Sequence, residues 1–508
     1  MNNLTVLILA AGYGRRMGPF SRMVNKSLIP YDNKPLISHI MAKFDPNTKF
    51  IIACGNMGQQ VKDYVLNVHS EKNIIFVDIP EFDEGNTGPA TTIRYCAEYL
   101  PEKFLWITCD TLFDFNFVNK LDHNWIAVSP VDSTVSHDYC WIERDGDTIV
   151  KIHNKKKSLH AVDAFIGLMY VNDLQFINNL IDSKAKDAYE GFDNIDLRAY
   201  TVRSWQDFGT YEKWKMLSEG LPEVSFPKPD ELFYRDNDKI IKFTTDEKLA
   251  RLRHERARLN PLCMPTNVVH KGNFLIYDYA GGETLYTCLT PELFNKFMNW
   301  AETKLWNHAG TFGDTFGYAD NFYHKKTLER LEKFRVKYST WVEFSIVNGR
   351  DVKTIKEYMS EIDFTWLASE TEWRFTHGDM QFDNIIYDSI TEQFTAIDWR
   401  TDFAGDQYGD MYYDLAKMLG GLYLSYKSIK EDKFSYEEND DQVIIDFPSV
   451  DHVNIYVTQL QEWVMAKGYD WQKVKTLVPI IYLNMAPLHT APFDKFLIAL
   501  AQLFFSQL

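Results

Sequence analysis

Along the first 220 residues, short unbroken apolar runs alternate with stretches of helical pattern. Thr5–Ala10 is such a run and leads into glycine, as a parallel strand buried on both faces does. Phe50–Cys54, Ile74–Ile79 and Phe104–Cys109 repeat its character, the last after a helix-like stretch over Ala90–Leu100. This rhythm predicts an α/β fold with a Rossmann-like, doubly wound sheet and ligands at the carboxyl ends of its strands.

The pattern then changes. Gly220-Leu221-Pro222-Glu223-Val224-Ser225-Phe226-Pro227-Lys228-Pro229 carries three prolines, which favour an extended connection. Beyond it, Leu232–Arg235 and Lys239–Phe243 flank Asp236-Asn237-Asp238 and read as a hairpin. Thr244-Thr245-Asp246-Glu247 has capping-box spacing and opens a helix that Pro261 would stop. Phe274–Tyr279 reads as a strand ending at Gly281-Gly282, and from about Pro291 the pattern is mainly helical. The expected domains are therefore residues 1–220, a linker at 221–229, and 230–508. The last divides into a small β lobe (about 230–285) and a larger helical lobe (about 286–508). Lys427–Asp446 is polar and acidic and reads as a surface insertion; there is no internal repeat.

Composition narrows the class. A hydrophobic share of 45% over 508 residues suits two or three globular domains. A formal charge of −17 argues against a nucleic-acid partner, since phosphate backbones attract basic faces. The six cysteines form no CxxC pair or metal-ligand spacing and read as small core residues of a reduced protein. Without a leader-like N-terminus or a long uncharged apolar run, the expectation is a cytoplasmic protein that does not insert into a membrane.

Two motifs carry candidate chemistry. After the first strand the chain reads Leu9-Ala10-Ala11-Gly12-Tyr13-Gly14-Arg15-Arg16-Met17, then Asn25-Lys26-Ser27-Leu28-Ile29-Pro30. A glycine turn there lets backbone N–H groups approach phosphate, and Arg16 and Lys26 add charge. Such a turn alone equally suits a tight strand-to-helix connection, but the Lys-x-Leu-x-Pro and Lys34-Pro35-Leu36-Ile37 that follow sharpen it. On these residues the segment resembles the sugar-phosphate nucleotidyltransferases, phosphocholine cytidylyltransferases among them, over about residues 1–215. The resemblance implies that Ala11, Gly12, Gly14, Arg16 and Lys26 bind a nucleoside triphosphate, with Lys26 catalytic. It also implies that Asp110 in Thr108-Cys109-Asp110 and Asp207 in Trp205-Gln206-Asp207-Phe208-Gly209-Thr210 hold Mg2+, and that Lys155 contacts a phosphate-bearing substrate. Elementary chemistry agrees, because two carboxylates suit a hard cation between phosphates and lysines relieve the repulsion of two anions. Plainer readings stay open: a helix N-cap for Asp110, a surface turn for Asp207, a solvated patch for Lys155 beside Lys156 and Lys157. Asn25 stands where the family carries proline, and Gly85-Asn86-Thr87-Gly88-Pro89-Ala90-Thr91 replaces its base-reading region, which leaves the base open. His153 and Cys54 read as structural.

The second motif is His377-Gly378-Asp379-Met380-Gln381-Phe382-Asp383-Asn384, followed by Ile397-Asp398-Trp399. It offers a base for a hydroxyl and oxygen ligands for a metal-bound triphosphate. Over about residues 230–508 the chain resembles the aminoglycoside phosphotransferase and choline kinase family, with its bilobal, protein-kinase-like α+β fold. The resemblance implies Asp379 as catalytic base, Asn384 and Asp398 as Mg2+ ligands, and Lys242 on the ATP phosphates with Glu255 as its partner. Glu247 competes for the role of Glu255. His377 reads as shaping the loop and Asp414 as structural. No glycine-rich loop precedes Lys242, and Arg400 follows Asp398-Trp399 where many relatives carry an acid, either altering the acceptor pocket or making a salt bridge.

Together the halves imply a bifunctional enzyme. A kinase would use ATP to phosphorylate a small alcohol, and a nucleotidyltransferase would couple that phosphomonoester to a second NTP for surface glycoconjugates. The leading expectation is CTP with a choline- or ethanolamine-like alcohol, for which the aromatic stretch Phe312–Tyr323 offers a cation cage. A sugar or polyol kinase joined to a sugar-phosphate nucleotidyltransferase is the alternative. A nucleotide-binding scaffold with one inactive half and an antibiotic kinase are readings of other kinds.

Overall fold

The computed structural model describes residues 4–80, 88–183, 187–192, 195–221, 230–306, 313–431, 433–440 and 442–508. The chain divides into two compact units, one of residues 1–251 with 269–276, the other of 252–268 with 277–508. The linker prolines lie outside the described residues.

The first unit is built on a nine-stranded sheet. Four strands are parallel, in the order Asn73–Asp78, Lys49–Cys54, Thr5–Ala10, Phe104–Thr108. The expected apolar runs supply all four. Beyond them the sheet departs from a doubly wound pattern: Val162–Val171 joins Phe104–Thr108 antiparallel, and the remaining strands are mixed in direction. The cause is local. The chain leaves Phe104–Thr108 through a tight turn into a second strand, Thr111–Asp114, instead of entering a helix. Within the parallel strands, alternate residues serve two cores. Val6, Ile8, Phe50, Ile52, Leu105 and Ile107 face one side, while Leu7, Ile51, Ala53, Phe104 and Trp106 face the other.

The expected hairpin forms as Glu231–Asp236 and Lys239–Thr244, with Asn237 in the left-handed region. With Phe274–Asp278 and Val269–Lys271 it makes a four-stranded sheet. Its apolar face does not close on itself: Tyr234, Ile241, Phe243, Phe274 and Ile276 share one core with Ile40, Val61 and Tyr64 of the first unit. Tyr234 is fully buried and donates its hydroxyl to Leu28 O at 2.7 Å. The helix that follows runs Glu247–Leu259 and stops before Pro261; Asp246 caps it, accepting from Lys248 N at 2.9 Å, in place of the expected threonine box.

The second unit is mainly helical, as its pattern predicts. The helix Met411–Tyr423 is buried from Met411 to Leu422, walled by Trp471–Met485 and neighbours. The polar stretch expected as a surface insertion is in part ordered sheet. Ser435–Asn439 and Gln442–Asp446 pair antiparallel, Ile346–Val347 joins the latter, and Val443 and Ile445 are buried. The β-branched run Val443-Ile444-Ile445 is the signal that the net polarity of the stretch obscures. Among the described residues no helix is long and apolar enough to cross a membrane.

Tyr234→Ala should lower the unfolding free energy of the first unit by about 3–5 kcal/mol, and Tyr234→Phe by about 1 kcal/mol, in urea titrations. A change below about 0.5 kcal/mol for the alanine variant would show that the small sheet does not share that core.

Candidate functional sites

The first site forms where Thr5–Ala10 ends. Ala11 is buried, Gly12 and Arg16 are exposed, and Gly14 adopts φ 61°, a conformation that side-chain-bearing residues rarely take. A Cβ on Gly12 would meet nothing within 4 Å, so the protein itself does not demand glycine there. Lys26 lies in a short 3₁₀ turn, and its Nζ meets Asp110 Oδ2 at 2.5 Å.

Asn25 sets that turn. It has no exposed surface; its Nδ2 donates to Ala10 O at 2.9 Å and Asn56 O at 2.6 Å. Its Oδ1 accepts from Ser27 N at 2.9 Å and Ser27 Oγ at 2.7 Å. The departure from the family proline thus ties the ends of two parallel strands to the residue before Lys26. Sequence reasoning recorded the substitution and missed its role, because the partners lie 15 and 31 residues away.

Asp110 sits in the turn between Phe104–Thr108 and Thr111–Asp114, so the N-cap reading does not hold: no helix follows. Asp207 ends the strand Ser204–Asp207, which pairs antiparallel with Thr111–Asp114, and Phe208 N donates to Asp110 O at 2.9 Å. The two aspartates are therefore neighbours across one ladder. Asp207 Oδ2 holds Lys213 Nζ at 2.6 Å and accepts from Tyr139 OH at 2.6 Å. Neither Lys213 nor Tyr139 was singled out by sequence; Lys213 lies one turn into the helix that Thr210 caps, and Tyr139 carries no local signal. Lys155 is exposed, at φ 49°, and donates its backbone N–H to Tyr139 O at 3.0 Å. Burial opposes ionisation of Asp110, but the Lys26 ammonium and hydrogen bonds from Lys26 and Thr108 outweigh it and hold the carboxyl below its usual range.

The second site is a loop clamped from behind. Asp414, on the buried helix Met411–Tyr423, accepts from His377 N at 2.7 Å, Gly378 N at 2.7 Å and Trp306 Nε1 at 3.0 Å. Gly378 takes φ 79°. His377 is fully buried: its Nε2 donates to Ile397 O at 2.8 Å and its Nδ1 accepts from Asp379 N at 3.2 Å. Both ring nitrogens are engaged, and burial lowers its pKa, so the ring is a neutral brace for the loop.

Asp379 Oδ1 meets Lys417 Nζ at 2.7 Å, with 38% of the Asp379 side chain accessible. Burial opposes its ionisation, but the Lys417 charge prevails and holds its pKa below the usual carboxylate range. Asn384 Nδ2 donates to Asp379 O at 2.9 Å, which leaves Oδ1 as the oxygen it presents. Asn384 O accepts from Ile397 N at 2.8 Å, and the next residue, Asp398, takes φ 60°. A non-glycine residue in the left-handed region stores strain of a kind that clusters at functional sites. Asp379 and Asn384 are thus joined directly, and Asp398 follows the residue whose N–H bonds to Asn384 O.

Lys242 lies mid-strand in the small sheet of the first unit and is half-buried. Of the two competing glutamates on the helix Glu247–Leu259, Glu247 is exposed and Glu255 half-buried. Arg256, which sequence reasoning passed over, is buried and donates to Gln407 O at 2.9 Å, Arg400 O at 2.7 Å and Thr376 O, fastening the loop segments on either side of the site. The aromatic stretch gives no open cage at Phe322, because Lys326 Nζ occupies its ring face at 3.6 Å. Phe312 lies outside the described residues, as do Gly85, Asn86 and Thr87 of the base-reading region.

Among the described residues no three acidic, histidine or cysteine side chains gather as a metal cage. Each site offers two oxygen-bearing side chains, the donor set of a Mg2+ ion that completes its shell with phosphate and water. At the first site the ammonium groups on Asp110 and Asp207 mark the positions that a cation favours.

Residues 6–162 match the model of the MobA-like NTP transferase domain. The chain is 22% identical over 231 residues to the bifunctional protein GlmU of Methanococcus maripaludis, covering 42% of this chain and 53% of that protein. It is 28% identical over 156 residues to the mannose-1-phosphate guanylyltransferase catalytic subunit beta of Drosophila pseudoobscura, covering 28% of this chain and 42% of that one. The chain thus spans about half the length of the curated relatives it matches. A solved CTP:phosphocholine cytidylyltransferase from Streptococcus pneumoniae superposes with a TM-score of 0.35 at 17% identity, covering 44% of this chain and 100% of that one. The first unit carries an NTP transferase domain.

Asn25→Ala would orphan two buried carbonyls and the Ser27 donors, and should cost about 2–4 kcal/mol in urea unfolding; a loss under about 0.5 kcal/mol would remove Asn25 as the anchor of the Lys26 turn.

Proposed function

We propose that the protein is a bifunctional transferase that phosphorylates a small alcohol and then couples the phosphomonoester to an NTP, giving an NDP-linked donor and pyrophosphate. The observation that carries the first half is the pairing of Lys26 with Asp110 beside Asp207, at the end of the strand and glycine turn inside the matched NTP transferase segment. For the second half it is the hydrogen bond between Asn384 and Asp379, with Ile397, next to Asp398, bonded to Asn384 O.

In the transferase step the phosphomonoester's oxygen attacks the α-phosphorus of the NTP and pyrophosphate leaves. Gly12, Gly14 and Arg16 hold the triphosphate, and Lys26 offsets charge gathering at the α-phosphate. Lys155 orients the incoming phosphate, and Asp110 and Asp207 would hold Mg2+. In the kinase step Asp379, kept ionised by Lys417, accepts the hydroxyl proton. Asn384 and Asp398 would hold Mg2+, which when bound supplies charge neutralisation to the triphosphate; for Lys242 and Glu255 the role of ATP contact is carried by the resemblance alone. The resemblance implies CTP and a choline- or ethanolamine-like alcohol. CTP is the nucleotide we propose, whereas for the alcohol the cations around Phe322 weigh against a cationic head group.

Incubation with ATP, CTP, Mg2+ and an alcohol panel should yield an NDP-linked product by mass spectrometry. Asp379→Asn should lower ATP-dependent phosphorylation by about 10²–10⁴-fold and leave pyrophosphate release from pre-phosphorylated substrate intact. Asp110→Asn should do the reverse, and joint loss in either variant would contradict two independent centres.

The kinase rate has its own pH signature. Lys417 holds the Asp379 pKa down against burial, so the base stays ionised as pH falls through the usual carboxylate range. In Lys417→Met burial acts unopposed, the Asp379 pKa rises, and the acid limb of kcat should move to higher pH. An unmoved limb would deny Lys417 this part.

A further inference from the structure

Basic side chains gather around Lys417 and Arg400, whose charges act on Asp379. Lys326 and Arg330 lie one turn apart on the helix Lys326–Tyr338, Lys417 is on Met411–Tyr423, and Arg400 follows Asp398 by two residues. Two of these cations share a ring: Lys326 Nζ lies 3.6 Å and Arg400 Cζ 5.0 Å from the centre of Phe322. Phe403, stacked on Phe322 at 3.8 Å and 18°, closes the opposite face and fixes the platform. The ring sits in a π-helical turn, Asn321–Lys325, between two α-helical segments, a distortion frequent at functional sites. Arg400 is backed by Gly378, where a Cβ would come within 2.6 Å of Arg400 Cδ.

The charges do not cancel. Among the described residues, neither Lys326, Arg330 nor Arg400 forms an ion pair with a carboxylate. Arg330 donates to Asn484 O, and Lys417 is paired with Asp379. Asp402, whose charge reaches Lys326, has its oxygens engaged by Thr401 Oγ1 at 2.8 Å and Gly405 N at 2.8 Å. Burial, with repulsion from Arg400, Arg330 and Lys417, lowers the Lys326 pKa to about 5, so near neutral pH the standing charge is that of Arg330 and Arg400, and Lys326 takes up its proton when an anion lies beside it. A chain with a formal charge of −17 has carboxylates in excess, yet leaves these cations without them. Partly desolvated, uncompensated cations are costly to keep and call for an anion.

We infer that Lys326, Arg330 and Arg400 form the acceptor subsite beside Asp379 and select an alcohol that carries its own carboxylate or phosphate, rather than a quaternary ammonium or a neutral polyol. The inference rests on the kinase reading. The acceptor hydroxyl gives its proton to Asp379 Oδ2, since Oδ1 is held by Lys417. Its oxygen bonds the γ-phosphorus of ATP as the β–γ bridging P–O bond breaks, and ADP leaves with that electron pair. The triphosphate is the other anion these cations suit. The acceptor is favoured because Asn384 and Asp398 stand at the hairpin Ile385–Asp388 and Gln393–Ala396, whereas Lys326, Arg330 and Lys417 come from helices.

The test uses the full chain with ATP, Mg2+ and four small alcohols, glycerate, glycerol 3-phosphate, glycerol and choline, read by ADP release. One or both of the anionic alcohols should exceed glycerol and choline in kcat/KM by about 10²-fold or more. Arg400→Gln and, independently, Lys326→Gln should raise KM for the anionic acceptor about 10-fold or more while leaving KM for ATP within about twofold. Choline or glycerol turned over as well as the anions, in a reaction that Asp379→Asn abolishes, would overturn the subsite and keep the kinase. A rise in KM for ATP alone would assign the cations to the triphosphate and overturn it as well. Absence of Asp379-dependent ADP release with every alcohol would overturn both readings.

Discussion

The carboxylate of Asp414 has no exposed surface and accepts three N–H groups, two from the main chain of the His377–Gly378 turn and one from Trp306. A polar group taken out of water must find such partners or destabilise the fold. Meeting that demand fixes the path of the loop, and with it the place of Asp379. Asn25 does the same in the first unit, where one buried amide joins two strand ends and the turn carrying Lys26. In each unit a buried polar neighbour fixes the backbone that carries the candidate side chain.

A second device recurs. Asp110 with Lys26, Asp207 with Lys213 and Asp379 with Lys417 are each a partly buried carboxylate held by an ammonium at 2.5–2.7 Å. For Asp110 and Asp379 the lysine outweighs the burial penalty and favours the ionised acid, the form that the roles we propose for them require. The cluster of Lys326, Arg330 and Arg400 is the counter-case, since cations left without carboxylates leave a charge for something else to complete.

The small sheet at 231–278 shows how far a pattern of elements underdetermines compact units. Its strands form where the runs flanking the Asp236-Asn237-Asp238 turn place them, yet most of the sheet belongs to the first unit, because Tyr234, Phe243 and Phe274 have their apolar partners there. Hydrophobic burial is non-directional, and a sheet face packs against whatever apolar surface is near.

Much was legible in the residues alone. The unbroken runs at Thr5–Ala10 and Phe104–Thr108 became parallel strands because only a strand buried on both faces tolerates apolar side chains at every position. The candidate residues of the glycine turn with Lys26, and of the Asp379, Asn384 and Asp398 set, could be proposed from short motifs, and Asp110 from the resemblance, because each lies in a compact local pattern. Lys213 on Asp207, Lys417 on Asp379, Arg256 behind the loop and the cations around Phe322 were decided only by the tertiary structure. Their partners lie far along the chain or a helical turn away, and charge pairing and desolvation depend on distance in space, which no local pattern records.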